Sequence, residues 1–576
     1  MFRYLSPHGG IRFTEEAKLL RDGKGDGNMN NTFRAPTMAQ NGVVTAPHYL
    51  ASQAGMNVLQ NGGNAVEAMI AAASTIAVVY PHMNSIGGDN FWLIYNAKTK
   101  ELKALNSSGR SGEKANIDFY KQKGYEKAIP ARGYLSANTV PGAIAGWENA
   151  YQLSQKEMQG TYPWEQLLQP AISYAKDGFP VTASQEYWTN VNLNEEDKEF
   201  RNLQRFDEFQ KVYLKENGLT YKTGDIMKQP GLAATLEGIS DEGSKLFYHG
   251  ELANRIIAEL QENGGILTKN DFASHTSDWV DPISAEYRGL TAYNLPPNTQ
   301  GMASLSILNI LNQFDLQFIE EGSAKYYHLL IEATKQAFGD RDQWLTDPEF
   351  ADIPIKQLLS KERGVELAGN IDFDSVFGLE KQLDPKGDTV WMGVVDKEGN
   401  AVSFIQSIYH DFGSGIIPKD TGVLLQNRGS FFSLNPNHIN CLQPKKRTFH
   451  TLNPAMLFKN NNPYLVYGTM GGEGQPQTQA ALVTRIIDYG FNVQKAIEAP
   501  RWLYGRTWGA GSNSLKIERR VDSSVTTKLE NLGHNLEIVD DFNDVMGHAG
   551  AIYIDPETNV KWGGADPRGD GAALGF

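Results

Sequence analysis

Cysteine is almost missing from this sequence: Cys441 is the only one in 576 residues. That excludes an intrachain disulfide and a thiolate metal cluster. Cys441 sits in Asn-His-Ile-Asn-Cys-Leu-Gln-Pro, a loop-like stretch, and reads as an inert thiol rather than a nucleophile. Long apolar runs are lacking too. The first 35 residues hold no continuous apolar core of the kind a secretion signal needs, and read as a polar arm. The most apolar run, Ala68 to Tyr80, falls about one third short of the ~20 residues that span a bilayer. Positive charge is in deficit, with a formal net charge of −14. That argues against a nucleic-acid surface, and it means that an anionic substrate needs a local cationic pocket. The 11 histidines show no ligand spacing such as His-Glu-x-x-His, so neither a metal nor a cofactor is expected. His48 and His82 read as structural, and Lys445–Arg447 as a solvated turn or pocket rim. A cytoplasmic protein with no membrane and no nucleic-acid partner is expected.

What is present is an ordinary globular composition, 40% hydrophobic and 21% charged. The 57 glycines fall in short clusters, Gly62-Gly63, Gly87-Gly88 and Gly471-Gly472-Gly474, which suit tight turns or backbone contacts to something bound. Three regions follow one another without an obvious linker. From Thr37 to Tyr213 the chain reads as helix-rich after a strand, "NGVVTA". His48 to Gln60 reads as a helix stopped by Gly62-Gly63. Asn64 and Glu67 make a capping-box signature for "AVEAMIAAASTIAVVY", apolar nearly all round and so buried on several sides. "FWLIYNAKTKELKALN" reads as a hairpin, with helices at Gly142–Ser154 and Trp164–Asp177. The middle region, to about Pro385, carries the amphipathic helix "KYYHLLIEATKQAFGDRDQWL" and then the polar, turn-rich "DFDSVFGLEKQLDPKGD". From Thr389 strands dominate: "TVWMGVVD", "AVSFIQS", "TGVLLQN", "PAMLFKN" and "PYLVYGT", with helices at Gln477–Tyr489 and Val525–Leu532. This mixture predicts an α+β, layered architecture.

The hairpin "TVWMGVVDKEGNAVSFIQS" carries the chemistry. Val390, Met392 and Val394 point one way and Trp391 and Val395 the other, so both faces need cover. A hairpin symmetric about Glu398 pairs Asp396 with Asn400 and Thr389 with Ser407. Opposed Cβ atoms lie ~5 Å apart, within hydroxyl reach. Thr–Ser pairs also occur in inert sheets. Threonine becomes a nucleophile only beside a base, and an N-terminal threonine supplies its own α-amine, which titrates near ~8. Exposing that amine requires scission between Asp388 and Thr389, which the threonine hydroxyl can bring about by attacking the Asp388 carbonyl to form an ester that water opens.

These segments resemble the gamma-glutamyltransferase family of N-terminal-nucleophile hydrolases over nearly the whole chain. "GVVTAPHYLASQAGMNVLQNGGNAVEAMIAA", "YPHMNSIGGDNFWLIY", "NTVPGAIAGW", "QPAISYAKDGFPV", "DTVWMGVVDKEGNAVSFIQS", "FGSGI", "TMGGEGQPQTQ" and "GGADPRGDGAALGF" occur in the family's order. The resemblance implies a four-layer αββα sandwich made as a precursor. It places the nucleophile on Thr389, its hydroxyl partner on Ser407 and the oxyanion hole on Gly471 and Gly472, where glycine lets N–H groups approach an oxyanion. It implies a polar arm over residues 1–35, a large fragment over 36–388 and a small one over 389–576. Together they make an αβ heterodimer, with pairing into a heterotetramer left open.

The departures bear on the substrate. The family's acidic residue after "LLNN", which grips an α-amino group, is absent from "LLQNRGSFF", where Arg428 appears. His450 and Thr451 stand at the family's two serines, and Tyr409 at its asparagine. The family's carboxylate-binding arginine has no clean match, since Arg110 lies two positions late. Arg428 is suited to a bidentate grip on a carboxylate, and equally to a structural ion pair. The pattern is most like the oxamate amidohydrolase branch, associated with bacterial purine (allantoin) breakdown. It implies a small anionic amide, hydrolysed to oxalate and ammonia. The alternatives are a γ-glutamyl hydrolase or transferase acting on glutathione-like substrates, a dicarboxylic-acyl amidase of the cephalosporin-acylase type, and an uncleaved binding protein.

Overall fold

Local signals near the N-terminus set the first layer. A computed structural model, describing residues 34–197, 199–378, 388–505 and 514–576, has helices at Tyr49–Gln60 and Ala65–Val79. His48 caps the first, its Nδ1 accepting the Leu50 N–H at 3.2 Å. Asn64 Oδ1 accepts from Val66 and Glu67, and Glu67 Oε2 accepts the Asn64 N–H in return. Three N–H groups at the start of the second helix are thus satisfied by a reciprocal pair of side chains. Every residue of Ala65–Val79 is buried, as its all-round apolar composition demands. Helices also form at Ala143–Glu157, Trp164–Asp177, Ala324–Trp344, Gly474–Ile487 and Ser523–Asn531, close to the segments read as helical. Among the described residues no helix is long and apolar enough to cross a membrane. The predicted arm falls outside the described residues up to 33, and most of the turn-rich stretch before Thr389 falls outside them over 379–387.

Two seven-stranded sheets form the centre. The first runs in the order Ala572–Gly575, Val43–Ala46, Asp388–Val395, Ala401–Tyr409, Asp89–Asn96, Glu101–Ser107, Asp278–Val280. The second runs Thr37–Ala39, Lys561–Ala565, Ala549–Ile554, Asn462–Thr469, Ala455–Lys459, Leu290–Asn294, Ile283–Tyr287. Each neighbouring pair is antiparallel.

Three buried apolar clusters fill the gaps of an αββα sandwich. Val390, Met392 and Val394 share one with Met69 and Ile70 of the helix Ala65–Val79. Trp391 and Val395 share another, between the sheets, with Val466 and Ile552. The third joins the second sheet to the helices Gly301–Leu311, Ala324–Trp344 and Gly474–Ile487. Both faces of the hairpin are therefore covered, one by helix and one by sheet. Room for the Trp391 indole comes from glycines: a Cβ on Gly393, Gly468 or Gly550 would lie 2.8, 2.2 or 2.5 Å from a ring atom.

One expected strand is not formed. "TGVLLQN" makes only a single bridge, Leu425 to Gly87, and leads into a 3₁₀ turn at Arg428–Phe431. A Cβ on Gly87 would sit 2.2 Å from the Leu424 carbonyl oxygen. The segment thus runs close beside the Gly87-Gly88 turn, its Gln426 N–H donating to Gly87 O at 2.9 Å and its Asn427 N–H to Ile408 O at 3.1 Å, without extending a ladder.

Candidate active site

The hairpin register follows the sequence from Val395 opposite Ala401 to Val390 opposite Gln406. It then slips, so that Asp388 lies opposite Tyr409. Thr389 therefore faces both Ser407 and Ile408 across a bulge, which corrects the simple opposed pair. The cause is local. The Tyr409 N–H donates to Ser407 Oγ at 2.8 Å instead of continuing the ladder, and Tyr409 takes φ +82°, a costly region for a residue with a Cβ. On the other flank Ser407 is opposite Asp89. The approach there is so close that a Cβ on Gly88 would sit 2.2 Å from the Ser407 carbonyl oxygen. Thr389 and Ser407 are buried. Two residues along their strands from Trp391 and Ile405, they fall on the side that faces the second sheet.

Arg428 starts the 3₁₀ turn and enters the same space. Its Nη2 donates to Ser407 Oγ at 3.3 Å and its Nη1 to Thr451 Oγ1 at 3.2 Å. The guanidinium lies 4.2 Å over the Tyr409 ring. It is 1% exposed. Its Nε finds no hydrogen-bond partner, and among the described residues it makes no salt bridge. Burial holds its pKa down to about 10, so it remains charged at neutral pH.

His450 and Thr451 reach the cluster from the segment before the strand Ala455–Lys459. Burial, and then the Arg428 charge, hold His450 well below its ordinary pKa. A neutral ring donates from one nitrogen only. Nδ1 accepts the Leu452 N–H at 3.5 Å, so Nε2 donates to Asp89 Oδ2 at 3.3 Å. Asp89 Oδ1 accepts from Gly109 N and Gly142 N, both at 3.1 Å, and from Gln426 Nε2 at 3.0 Å. Burial raises the Asp89 pKa to about 6, against the pull of these donors and Arg428. Sequence reasoning missed Asp89. Its partners lie far along the chain, and no local pattern marks it; only the pairing of its strand with Ser407 exposes it.

Gly471 and Gly472 follow the strand Asn462–Thr469, with φ of +117° and +51°, conformations that suit glycine. Among the described residues neither amide N–H finds an acceptor. Gln300 Nε2 donates to Gly472 O at 2.8 Å and to Thr451 O at 2.7 Å. This ties the glycine turn to the segment that touches Arg428.

Thr389, Ser407, Tyr409, Arg428, His450, Thr451 and the Gly471-Gly472 turn are thus joined by strand neighbours and hydrogen bonds. Arg110 is held differently. Its Nη2 lies 2.7 Å from Glu349 and 3.4 Å from Asp278, so two carboxylates already meet its charge. Of Asp388 only the backbone is described. Lys446 and Arg447 are buried, not solvated. Lys446 Nζ donates to the Ile439 and Cys441 carbonyls, and Arg447 Nε to Ser108 O; both pin loops behind the cluster.

Comparison with known proteins gives one consistent answer. The family model described as gamma-glutamyltranspeptidase matches residues 51–576. A "glutathione hydrolase-like YwrD proenzyme" of Bacillus subtilis is 47% identical, over 93% of this chain and 98% of its own. An "oxamate amidohydrolase proenzyme" of Klebsiella pneumoniae is 44% identical, over 94% and 100%. The crystal structure of a cephalosporin acylase from Bacillus halodurans superposes with a TM-score of 0.85 at 36% identity, over 95% and 98%.

Proposed function

From the premise that this chain belongs to the gamma-glutamyltranspeptidase family of N-terminal-nucleophile hydrolases, and is an enzyme, we propose that it hydrolyses a small anionic amide, oxamate, to oxalate and ammonia. One observation carries the reading. Arg428 is a buried cation with no carboxylate in direct contact among the described residues, Asp89 acting on it only through its field, and it hydrogen-bonds the hydroxyl beside Thr389. A buried charge needs a counter-charge. A carboxylate bound there lies next to the scissile carbonyl, as in a two-carbon amide.

Scission between Asp388 and Thr389 yields an αβ heterodimer whose small fragment begins with Thr389. The new α-amine takes the hydroxyl proton and Thr389 Oγ attacks the amide carbon. The Gly471 and Gly472 N–H groups hold the oxyanion, and Ser407 orients the nucleophile. Ammonia leaves with the relayed proton, and water opens the acyl-enzyme to release oxalate. His450 and Thr451 shape the wall, with Asp89 fixing the histidine. A cytoplasmic place in purine breakdown belongs to the same proposal.

A second reading, γ-glutamyl hydrolysis, is favoured by the name of the 47%-identical relative. It requires an acceptor for the substrate ammonium. Asp89 is the acid at hand, and its oxygens already serve four donors. A third, dicarboxylic-acyl cleavage, is suggested by the cephalosporin acylase neighbour. It requires room for a longer acyl chain, where the Tyr409, Phe431 and Phe449 rings pack in succession, the first pair tilted and the second edge to face.

Ammonia release from oxamate, measured beside cleavage of a γ-glutamyl anilide, separates these readings. Oxamate turnover with no anilide cleavage is expected; anilide cleavage alone rejects the substrate. N-terminal sequencing of active protein should give Thr-Val-Trp-Met. Thr389→Ala should yield one uncleaved, inactive chain; undiminished turnover by that variant rejects the nucleophile.

A further inference from the structure

A second group of buried polar side chains converges in the helix layer behind the second sheet. His328 and Glu332 sit one turn apart on the helix Ala324–Trp344, and His534 reaches them from the turn after Ser523–Asn531. One ring nitrogen from each histidine and one carboxylate oxygen lie within 4.8 Å of one another, and all three residues are buried. His328 Nδ1 is 2.8 Å from His534 Nε2. The other ring nitrogen, Nε2, is 2.8 Å from the Asp372 carbonyl oxygen. A carbonyl only accepts, so Nε2 carries the proton and Nδ1 presents a lone pair toward His534. An outer carbonyl that fixes the histidine tautomer in this way is the usual support of a metal-binding imidazole. The i, i+4 spacing puts the first two donors on one helix face.

We propose that His328, Glu332 and His534 bind a zinc-like divalent transition-metal ion. Two imidazoles and a carboxylate are the donors such ions accept, with a fourth position left for water. Tetrahedral coordination at about 2.0–2.1 Å sets donors ~3.3 Å apart, so the two histidines must part by about half an ångström. The proton that His534 Nε2 now donates to His328 Nδ1 must also move to His534 Nδ1, freeing the Nε2 lone pair for the ion. Lys335 is the competitor. Its Nζ donates to Glu332 Oε1 at 2.8 Å, while Glu332 Oε2 accepts the Phe377 N–H at 2.8 Å. The ion displaces the ammonium from Oε1, and repulsion from Lys335 lowers its affinity. On the processing reading above, two ligands belong to the large fragment and one to the small, so the ion ties the fragments together.

The test is equilibrium dialysis of the full-length purified protein against zinc chloride with a chromophoric chelator as competitor, followed by metal quantification. About one zinc per chain is expected. His534→Gln and Glu332→Gln should each weaken binding at least about tenfold. Lys335→Met should tighten it by a similar factor, which an inert hydrogen-bond network does not predict. His548→Gln, in the separate histidine group around His48 and His82, should leave it unchanged. Cobalt(II) in the unaltered protein should give the visible bands of a four-coordinate N/O site, a readout independent of how any variant folds. No zinc uptake, absence of those bands, uptake indifferent to His534 and Glu332, or weaker binding by Lys335→Met each overturns the site. None of these results depends on whether oxamate is the substrate.

Discussion

Arg428 poses the sharpest question at the scale of one residue. A guanidinium 1% exposed, with two hydroxyl contacts and an unpartnered Nε, costs the empty protein stability. Stacking on Tyr409 offsets part of that cost. Sites held ready for a ligand commonly carry such a debt. Arg428→Met should therefore raise the melting temperature by about 1 °C, the scale of about 1 kcal/mol in a chain of this length. It should lower kcat/KM on oxamate by at least about 100-fold, the worth of charge-assisted hydrogen bonds. Calorimetry and ammonia release on one preparation give both numbers. A variant that melts lower yet turns over normally would make Arg428 a structural residue. Arg428 was legible because a cation stood in a stretch whose relatives carry an acid. Asp89 was not, because its role arises only when its strand pairs with Ser407.

At the scale of the element, the hairpin shows what spacing can and cannot say. Its turn and alternation are local, so the register about Glu398 was readable from the sequence. The bulge at Thr389 depends on Ser407 Oγ capturing the Tyr409 N–H and on the Gly88 backbone pressing on the same strand, neither of which a strand pattern reports. "TGVLLQN" failed for the same reason: it has strand composition, but beside the Gly87-Gly88 turn and the end of Ala401–Tyr409 it finds one bridge and no continuing ladder. The turn itself is held by Asp396. Its Oδ1 accepts the Asn400 N–H, and its Oδ2 accepts Asn400 Nδ2 and the Ala65 N–H at the start of the buried helix. Burial raises the Asp396 pKa from 3.8 to about 6 despite these bonds. A carboxyl raised on folding binds its proton more tightly in the native state. Its contribution is therefore complete below pH ~4 and is lost as pH climbs through about 6, an effect of about 3 kcal/mol. Asp396→Asn lacks that loss. Whatever its fixed cost, it should gain on the unaltered protein between pH 4 and pH 7 in urea unfolding. A stability gap that stays flat or widens against the variant rejects the assignment. Packing gives a companion test in the neighbouring sheet. Gly468→Ala drives a Cβ to 2.2 Å from Trp391 Cδ1, and should cost about 1–3 kcal/mol. Trp391→Leu should relieve most of that cost in a double-mutant cycle.

At the scale of the whole molecule, the two proposed fragments are woven through both sheets. In the first sheet, Val43–Ala46 from the large fragment lies between Ala572–Gly575 and the strand Asp388–Val395, which past Asp388 belongs to the small one. In the second, four adjacent strands of the small fragment are flanked on both edges by strands of the large. The layered α+β class was readable from the switch between helix and strand patterns, but this interleaving was not, since it pairs strands hundreds of residues apart. It has a mechanical consequence. Neither fragment holds a complete sheet, and the apolar layer between the sheets draws Phe91 and Leu93 from one and Trp391 and Val466 from the other. Separating the fragments would expose both inner faces and leave strand edges unpaired. Processed protein should therefore run as one species in native gel filtration and as two bands on a denaturing gel. It should also unfold in a single transition whether followed by tryptophan fluorescence or by circular dichroism. Release of either fragment under native conditions, or two resolved transitions, would mean that the fragments fold as separate bodies.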